Sequence, residues 1–233
     1  MHLHRTLISV LIMTGSILTA TVGVTDNAWA SPNCSPSSHC YGVAIWGYTP
    51  ATYGSGGDLE FQCLYTSNTS HFVNEEMWQG TNDDPIASAN WVEEGGRTGE
   101  PNGSSRYFFW ADERSGGYNQ HFPSGSQYLV SLNITYSAEM VYDGSNEWEV
   151  DWNGYSVGYS TSNPPNGEYL SAGTEALDNN DRTVGTDSSL YYLDTTYEVH
   201  FGWTSATTED VGGLTSTSWV GSGHNTVGWA SAC

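Results

Sequence analysis

Two glutamates in short, glycine-marked segments are the residues of this chain best suited to chemistry. One lies in Asn90-Trp91-Val92-Glu93-Glu94-Gly95-Gly96, the other in Leu170-Ser171-Ala172-Gly173-Thr174-Glu175-Ala176. Two carboxyls facing each other across a groove can divide acid and base roles. Neighbouring carboxyls do not both ionise readily, so such a pair holds one shared proton and works in acid. Glu175 is read as the ionised base that activates water. Glu93 is read as the protonated acid of the pair. Side chains alternate along a strand, so Glu93 shares a face with Trp91 while Glu94 shares the other with Val92. That alternation selects Glu93 as the cleft partner of Glu175. Gly173 and Ala176 leave room beside Glu175 for a substrate backbone.

The elements that must position this pair read as strands. Tyr41 to Trp46, Leu59 to Tyr65, His71 to Gln79, Ala89 to Glu94 and Arg106 to Ala111 carry short apolar or alternating runs. Thr49 to Gly57 reads as a glycine-rich loop, and Glu113 to Ser126 as another. Tyr128 to Tyr136 shows the clearest period of two, which predicts a strand. Glu147 to Tyr159 is a hairpin, with Asn153-Gly154 as its turn signal. Short strands spaced by turns, without long helical patterns, predict an all-β, antiparallel double-sheet sandwich.

The chain has 233 residues, no lysine, five arginines and 26 acidic residues, for a formal net charge of −21. Neutralising a phosphate backbone needs Lys and Arg, so nucleic acid is excluded as a partner. An anionic membrane surface is excluded on the same ground. An acidic working pH, where carboxylates protonate and self-repulsion fades, is one account of this charge; a salty habitat is another. Residues 1–30 read as a secretory signal: a basic start, the apolar run Leu7 to Val24, and the Ala28-Trp29-Ala30 cleavage site. Residues 31–233 then form one exported domain, with monomer as the expected state. Four cysteines in an exported chain predict two disulfides. Cys40–Cys63 and Cys34–Cys233 are the expected pairs. No cysteine or histidine spacing fits a metal site, and no cofactor is expected. The Asp178-Asn179-Asn180-Asp181 run reads as a turn.

The order of motifs resembles the neprosin-type glutamic peptidases and, more loosely, the eqolisin-type ones. The pieces are Glu76-Met77-Trp78-Gln79-Gly80, then Trp91-Val92-Glu93-Glu94-Gly95, then Arg106-Tyr107-Phe108-Phe109-Trp110. Later come Asn146-Glu147-Trp148, Val157-Gly158-Tyr159 and Ala172-Gly173-Thr174-Glu175. The resemblance implies a concanavalin-like jelly roll with a carboxyl pair in the groove of one sheet. It places Glu93 at the first catalytic position and Glu175 at the second, with a protein or peptide as substrate. Glu94 and Thr174 depart from the small residues the family has there. Trp78, Trp91 and Trp110 are the aromatic candidates for lining the groove, while Glu76 and Glu94 read as solvated or supporting residues. A jelly-roll glycoside hydrolase with paired glutamates, or a non-catalytic carbohydrate or cell-surface binding module, are the competing readings.

Overall fold

The computed structural model describes residues 34–35, 37, 39–66, 68–80, 90–114, 117–144, 147–161, 167–178, 180–194, 200–211, 216–219 and 225–228. The expected signal segment, 1–30, lies outside the described residues. The strands, in chain order, are β1 (Cys40–Thr52), β2 (Gly54–Tyr65), β3 (Phe72–Gly80), β4 (Trp91–Gly99), β5 (Gly103–Arg114), β6 (Gly117–His121), β7 (Thr135–Tyr142), β8 (Trp148–Trp152), β9 (Tyr155–Ser160), β10 (Gly167–Ala176), β11 (Arg182–Leu193), β12 (His200–Gly202), β13 (Thr207–Val211), β14 (Ser216–Trp219) and β15 (Asn225–Gly228). They form two antiparallel sheets, ordered β13-β1-β10-β3-β4-β5-β6 and β14-β15-β11-β2-β7-β8-β9, with β12 paired to β11. This is the double-sheet sandwich predicted from the alternating runs.

The inner faces supply the core. Phe61, Met77, Phe108, Met140, Trp148 and Trp152 are buried there. Trp152 stacks on Tyr136 with ring centres 5.0 Å apart and leans on Phe108 at 4.4 Å. Burying a large apolar side chain contributes about 1.5–3 kcal/mol, so this layer fixes which face of each strand turns inward. The β8–β9 hairpin turns at Asn153 and Gly154, both left-handed with φ of 53° and 74°, as its Asn-Gly signal predicted.

Two expected elements differ. The glycine-rich run before Leu59 is strand, not loop: β2 begins at Gly54. A Cβ on Gly56 would lie 2.3 Å from the Tyr191 hydroxyl, and one on Gly57 2.6 Å from Leu190 Cδ2. These glycines serve close approach of β11, not turning. The Tyr128–Tyr136 run becomes a short 3₁₀ turn, Ser126–Tyr128, and a crossing segment, with β7 starting only at Thr135. Asn133, at φ 58°, kinks it. Its backbone is fastened instead to both sheets, Val130 N–H to Arg106 C=O and Asn133 N–H to Phe61 C=O. The Asp178–Asp181 run is a turn, with Asp181 Oδ2 accepting the Leu177 and Asp178 amides.

The disulfide expectation is corrected. Cys34 is bonded to Cys40, six residues on, with Cα atoms 5.2 Å apart. Cys40 is thereby taken by Cys34 and cannot pair with Cys63, and Cys34 cannot pair with Cys233. Cys63 is also oxidised; Cys233 lies outside the described residues.

Candidate active site

Alternation along three adjacent strands builds the floor of a groove. On β3, Phe72, Asn74, Glu76 and Trp78 share one face. On β4, Trp91, Glu93, Gly95 and Arg97 do, and on β10, Gly173 and Glu175. The register ties them together. Glu93 stands opposite Trp78, Glu76 opposite Gly95 on one side and Gly173 on the other, and Glu175 opposite Asn74. Glu93, Glu76 and Glu175 therefore form a diagonal, each one strand over and two residues along from the next. Diagonal neighbours in a sheet lie about 7–8 Å apart at Cα, within reach of long side chains.

Glycine makes room for the middle member. A Cβ on Gly95 would sit 2.5 Å from Glu76 Cβ and 2.2 Å from the Glu75 carbonyl oxygen, both rigidly placed. Gly95→Ala is expected to destabilise the fold by about 2 kcal/mol or more, read as a lowered urea midpoint.

Glu93 and Glu175 line one cleft of about 380 Å³ with His39, Tyr41, Phe72, Trp78, Trp91 and Tyr118. Each carboxyl has its own donors. Trp91 Nε1 donates to Glu93 Oε2 at 2.8 Å, and the Tyr118 hydroxyl to Glu93 Oε1 at 2.5 Å. Gln120 Nε2 donates in turn to the Tyr118 oxygen at 2.9 Å. On the other carboxyl, His39 Nδ1–H donates to Glu175 Oε1, and Asn74 Nδ2 reaches Glu175 Oε2 at 3.3 Å and Glu76 Oε1 at 2.5 Å. Tyr41, beside His39 at 3.3 Å, has its hydroxyl held protonated by burial and by the Glu175 charge.

Burial and mutual charge set the protonation states. Glu93 is pushed from the usual 4.5 to about 7, first by burial and then by the charge of Glu175; Tyr118 and Trp91 oppose the rise. Glu76, fully buried, is raised well above the carboxylate range by burial and by the charges of Glu93 and Glu175. The groove thus carries two carboxyls that keep their protons in acid.

Of the residues singled out from sequence, Glu93, Glu175, Trp78 and Trp91 meet in this cleft. Trp110 does not. It pairs with Glu94 across β4 and β5, on the inward face, where it packs against Gly158 and stacks on His121 at 3.7 Å. The same parity that separates Glu94 from Glu93 carries Trp110 away. Glu76 and Glu94 are both fully buried, not solvated. Glu94 faces inward toward Asp151 and Glu139, and burial raises it well above its usual range.

Sequence reasoning missed His39 and Tyr118. His39 lies in the polar lead-in, where nothing marks it except the neighbouring Cys40; the Cys34–Cys40 loop holds it over Glu175. Tyr118 lies in a segment read as loop. The Gly116-Gly117 pair followed by Tyr118, Gln120 and Phe122 in alternation is the signal that reveals β6.

No protein-family model matches the sequence, and no curated protein does. Solved structures match in shape. Scytalido-glutamic peptidase with a transition state analog inhibitor superposes with a TM-score of 0.59 at 9% identity, over 83% of this chain and 99% of that one. SCP-B, a member of the eqolisin family of peptidases in complex with the tripeptide Ala-Ile-His, gives 0.54 at 8% identity, over 83% and 99%. The fold is that of the eqolisin-type glutamic peptidases.

Proposed function

We propose that this protein is an exported acid endopeptidase in which Glu93 and Glu175 hydrolyse peptide bonds. The observation that carries the reading is that both carboxyls open into one aromatic cleft with different sets of donors. The eqolisin-type fold supports it. Glu175, served by His39 and Asn74, is suited to the base. Glu93, protonated below about 7, is suited to the acid. Glu175 takes a proton from water as the oxygen adds to the scissile carbonyl carbon. The Glu93 proton passes to the carbonyl oxygen, which becomes a hydroxyl. On collapse that hydroxyl returns its proton to Glu93, the C–N bond breaks, and Glu175 delivers its proton to the leaving amine. Both carboxyls end as they began. Trp78 and Trp91 wall the cleft and give a substrate chain apolar surface to lie on. Glu76, kept neutral between the two, limits the negative charge the groove must hold.

Incubating the protein with a denatured protein at pH 4 tests the reading. Peptide fragments detected by mass spectrometry are the expected result. Release of reducing sugar from a glucan, with no fragments from protein, would overturn it. The alkaline limb of kcat/KM is expected near pH 7, where Glu93 loses its proton.

His39 gives a second prediction. His39→Gln keeps a donor beside Glu175 but removes the cation. A charge-assisted hydrogen bond is worth about 1.5–3 kcal/mol, so kcat at pH 4 is expected to fall about ten- to hundredfold with KM little changed. Initial-rate kinetics over a range of substrate concentrations checks this; an unaltered kcat would assign His39 no part in the chemistry.

A further inference from the structure

Arg97 makes no ion pair with either carboxyl of the proposed pair, yet it is built into the same groove, where its charge is felt by Glu93, Glu76 and Glu175. It is 3% exposed, in a chain without lysine. Its guanidinium lies 3.6 Å over the Phe72 ring, with the Phe109 and Phe122 rings at 5.6 and 5.7 Å. Aromatic faces hold a cation in place, but they accept no conventional hydrogen bond. Arg97 Nε and Nη1 are buried without a hydrogen-bond partner. Among the described residues, no carboxylate comes within ion-pair distance of it. A buried guanidinium left without an acceptor is costly, and a bidentate carboxylate is the acceptor that fits its planar fork.

Arg97 also lines a cavity of about 580 Å³ that continues the catalytic cleft, sharing Phe72 and Tyr118 with it. His71 and Gln120 add polar groups to its wall, and Glu100 lines it from its exposed side. Arg97 stands four residues from Glu93 on the same face of β4. At about 3.3 Å per residue that is about 13 Å, a span that four residues of an extended peptide also cover.

We propose that Arg97 and this cavity form a carboxylate-binding subsite, which takes an Asp or Glu side chain or a C-terminal carboxylate about four residues from the scissile bond. The inference rests on the peptidase reading and gives it a substrate class: peptides that carry an acid at one fixed distance from the cut. A terminal carboxyl stays largely ionised at pH 4 to 5, so the pairing is compatible with acid chemistry.

Matched peptides distinguish the two sources. One series exchanges Glu for Gln at each position two to five residues from the cut, on either side; another compares the free C-terminal acid with the amide. The wild-type protein is expected to favour the carboxylate at one such position by about tenfold or more in kcat/KM. Sensitivity to Glu against Gln assigns a side-chain subsite, and sensitivity to amidation a terminal one. Cleavage indifferent to both overturns the subsite and leaves the peptidase reading standing. Without any cleavage the peptidase reading fails, and the subsite is then decided by tryptophan fluorescence titration of tetrapeptide acids and amides into the wild-type protein. Tighter binding of the acids supports it, and equal affinity overturns it. In Arg97→Gln the preference is expected to disappear; a variant that retains it also overturns the assignment.

Discussion

Raising the pH from 4 to 8 is expected to weaken this fold by several kcal/mol. The reason is the number of carboxyls that folding takes out of water. Glu75 and Asp187 face each other across the interior, both fully buried. Burial and the charge of Asp187 hold Glu75 well above its usual range, and burial brings Asp187 to about 7. The space for Glu75 exists because β11 has a glycine there: a Cβ on Gly185 would lie 1.5 Å from Glu75 Oε1. Glu94, Glu76 and Glu93 are raised in the same direction, each chiefly by burial. A carboxyl with a higher pKa folded than unfolded favours the fold fully below its unfolded value. That contribution is lost as pH rises through the folded value. For Glu93, moving from 4.5 to about 7, the loss is about 3 kcal/mol, at about 1.4 kcal/mol per unit. The window opens near pH 4.5 and runs through about 7, the value of Glu93 and Asp187, with Glu75, Glu76 and Glu94 raised in the same direction. Domains of this kind have only about 5–15 kcal/mol in total. Urea unfolding at pH 4 and at pH 8 measures the difference. A midpoint that stays level or rises with pH would show that these carboxyls are not held as described. The result would also explain the acidic composition: such a chain is built to be most stable in the pH range where its proposed chemistry runs.

The two outer glutamates carry the second large effect. Glu175→Gln removes the base while keeping size and polarity, and Glu93→Gln removes the proton donor. Acid–base groups contribute about 10²–10⁴-fold each, so either change is expected to lower kcat by about 10³-fold or more. Neither should unfold the protein in acid. Replacing the protonated Glu93 with an amide preserves its neutral state; the amide oxygen can keep the Trp91 Nε1–H bond, with the amide N–H turned to the Tyr118 oxygen. A variant that fails to fold would be recognised by circular dichroism and would say nothing about catalysis, so the paired spectra belong with the kinetics.

Much of this was legible in the residues. The short run Ala89 to Glu94 gave the strand that bears Glu93, and side-chain alternation gave the parity that sets Glu93 apart from Glu94. Asn153-Gly154 gave a turn because left-handed backbone there needs those residue types. What was not legible depended on which strands become neighbours. Glu76 looked like a solvated strand residue until β3 was placed between β4 and β10, with bare glycines on both sides of it. Gly54 to Gly57 looked like a loop because glycine marks close packing as readily as it marks turns, and only the presence of Tyr191 and Leu190 separates the two. The Tyr128–Tyr136 alternation was real, but its backbone is shared between two sheets instead of paired to one strand. Trp110 misled because an aromatic tract shows that a strand is buried and not which face a given ring takes. His39 reaches Glu175 beside the Cys34–Cys40 disulfide, a pairing that cysteine spacing alone did not select from the possible ones.

One comparison tests the central claim most directly: hydrolysis of a single denatured protein at pH 4 by the wild-type chain and by Glu175→Gln, followed by mass spectrometry of the fragments. The account predicts fragments that accumulate with wild type and are about 10³-fold slower to form with the variant. Equal rates from a variant with a native circular dichroism spectrum would contradict it.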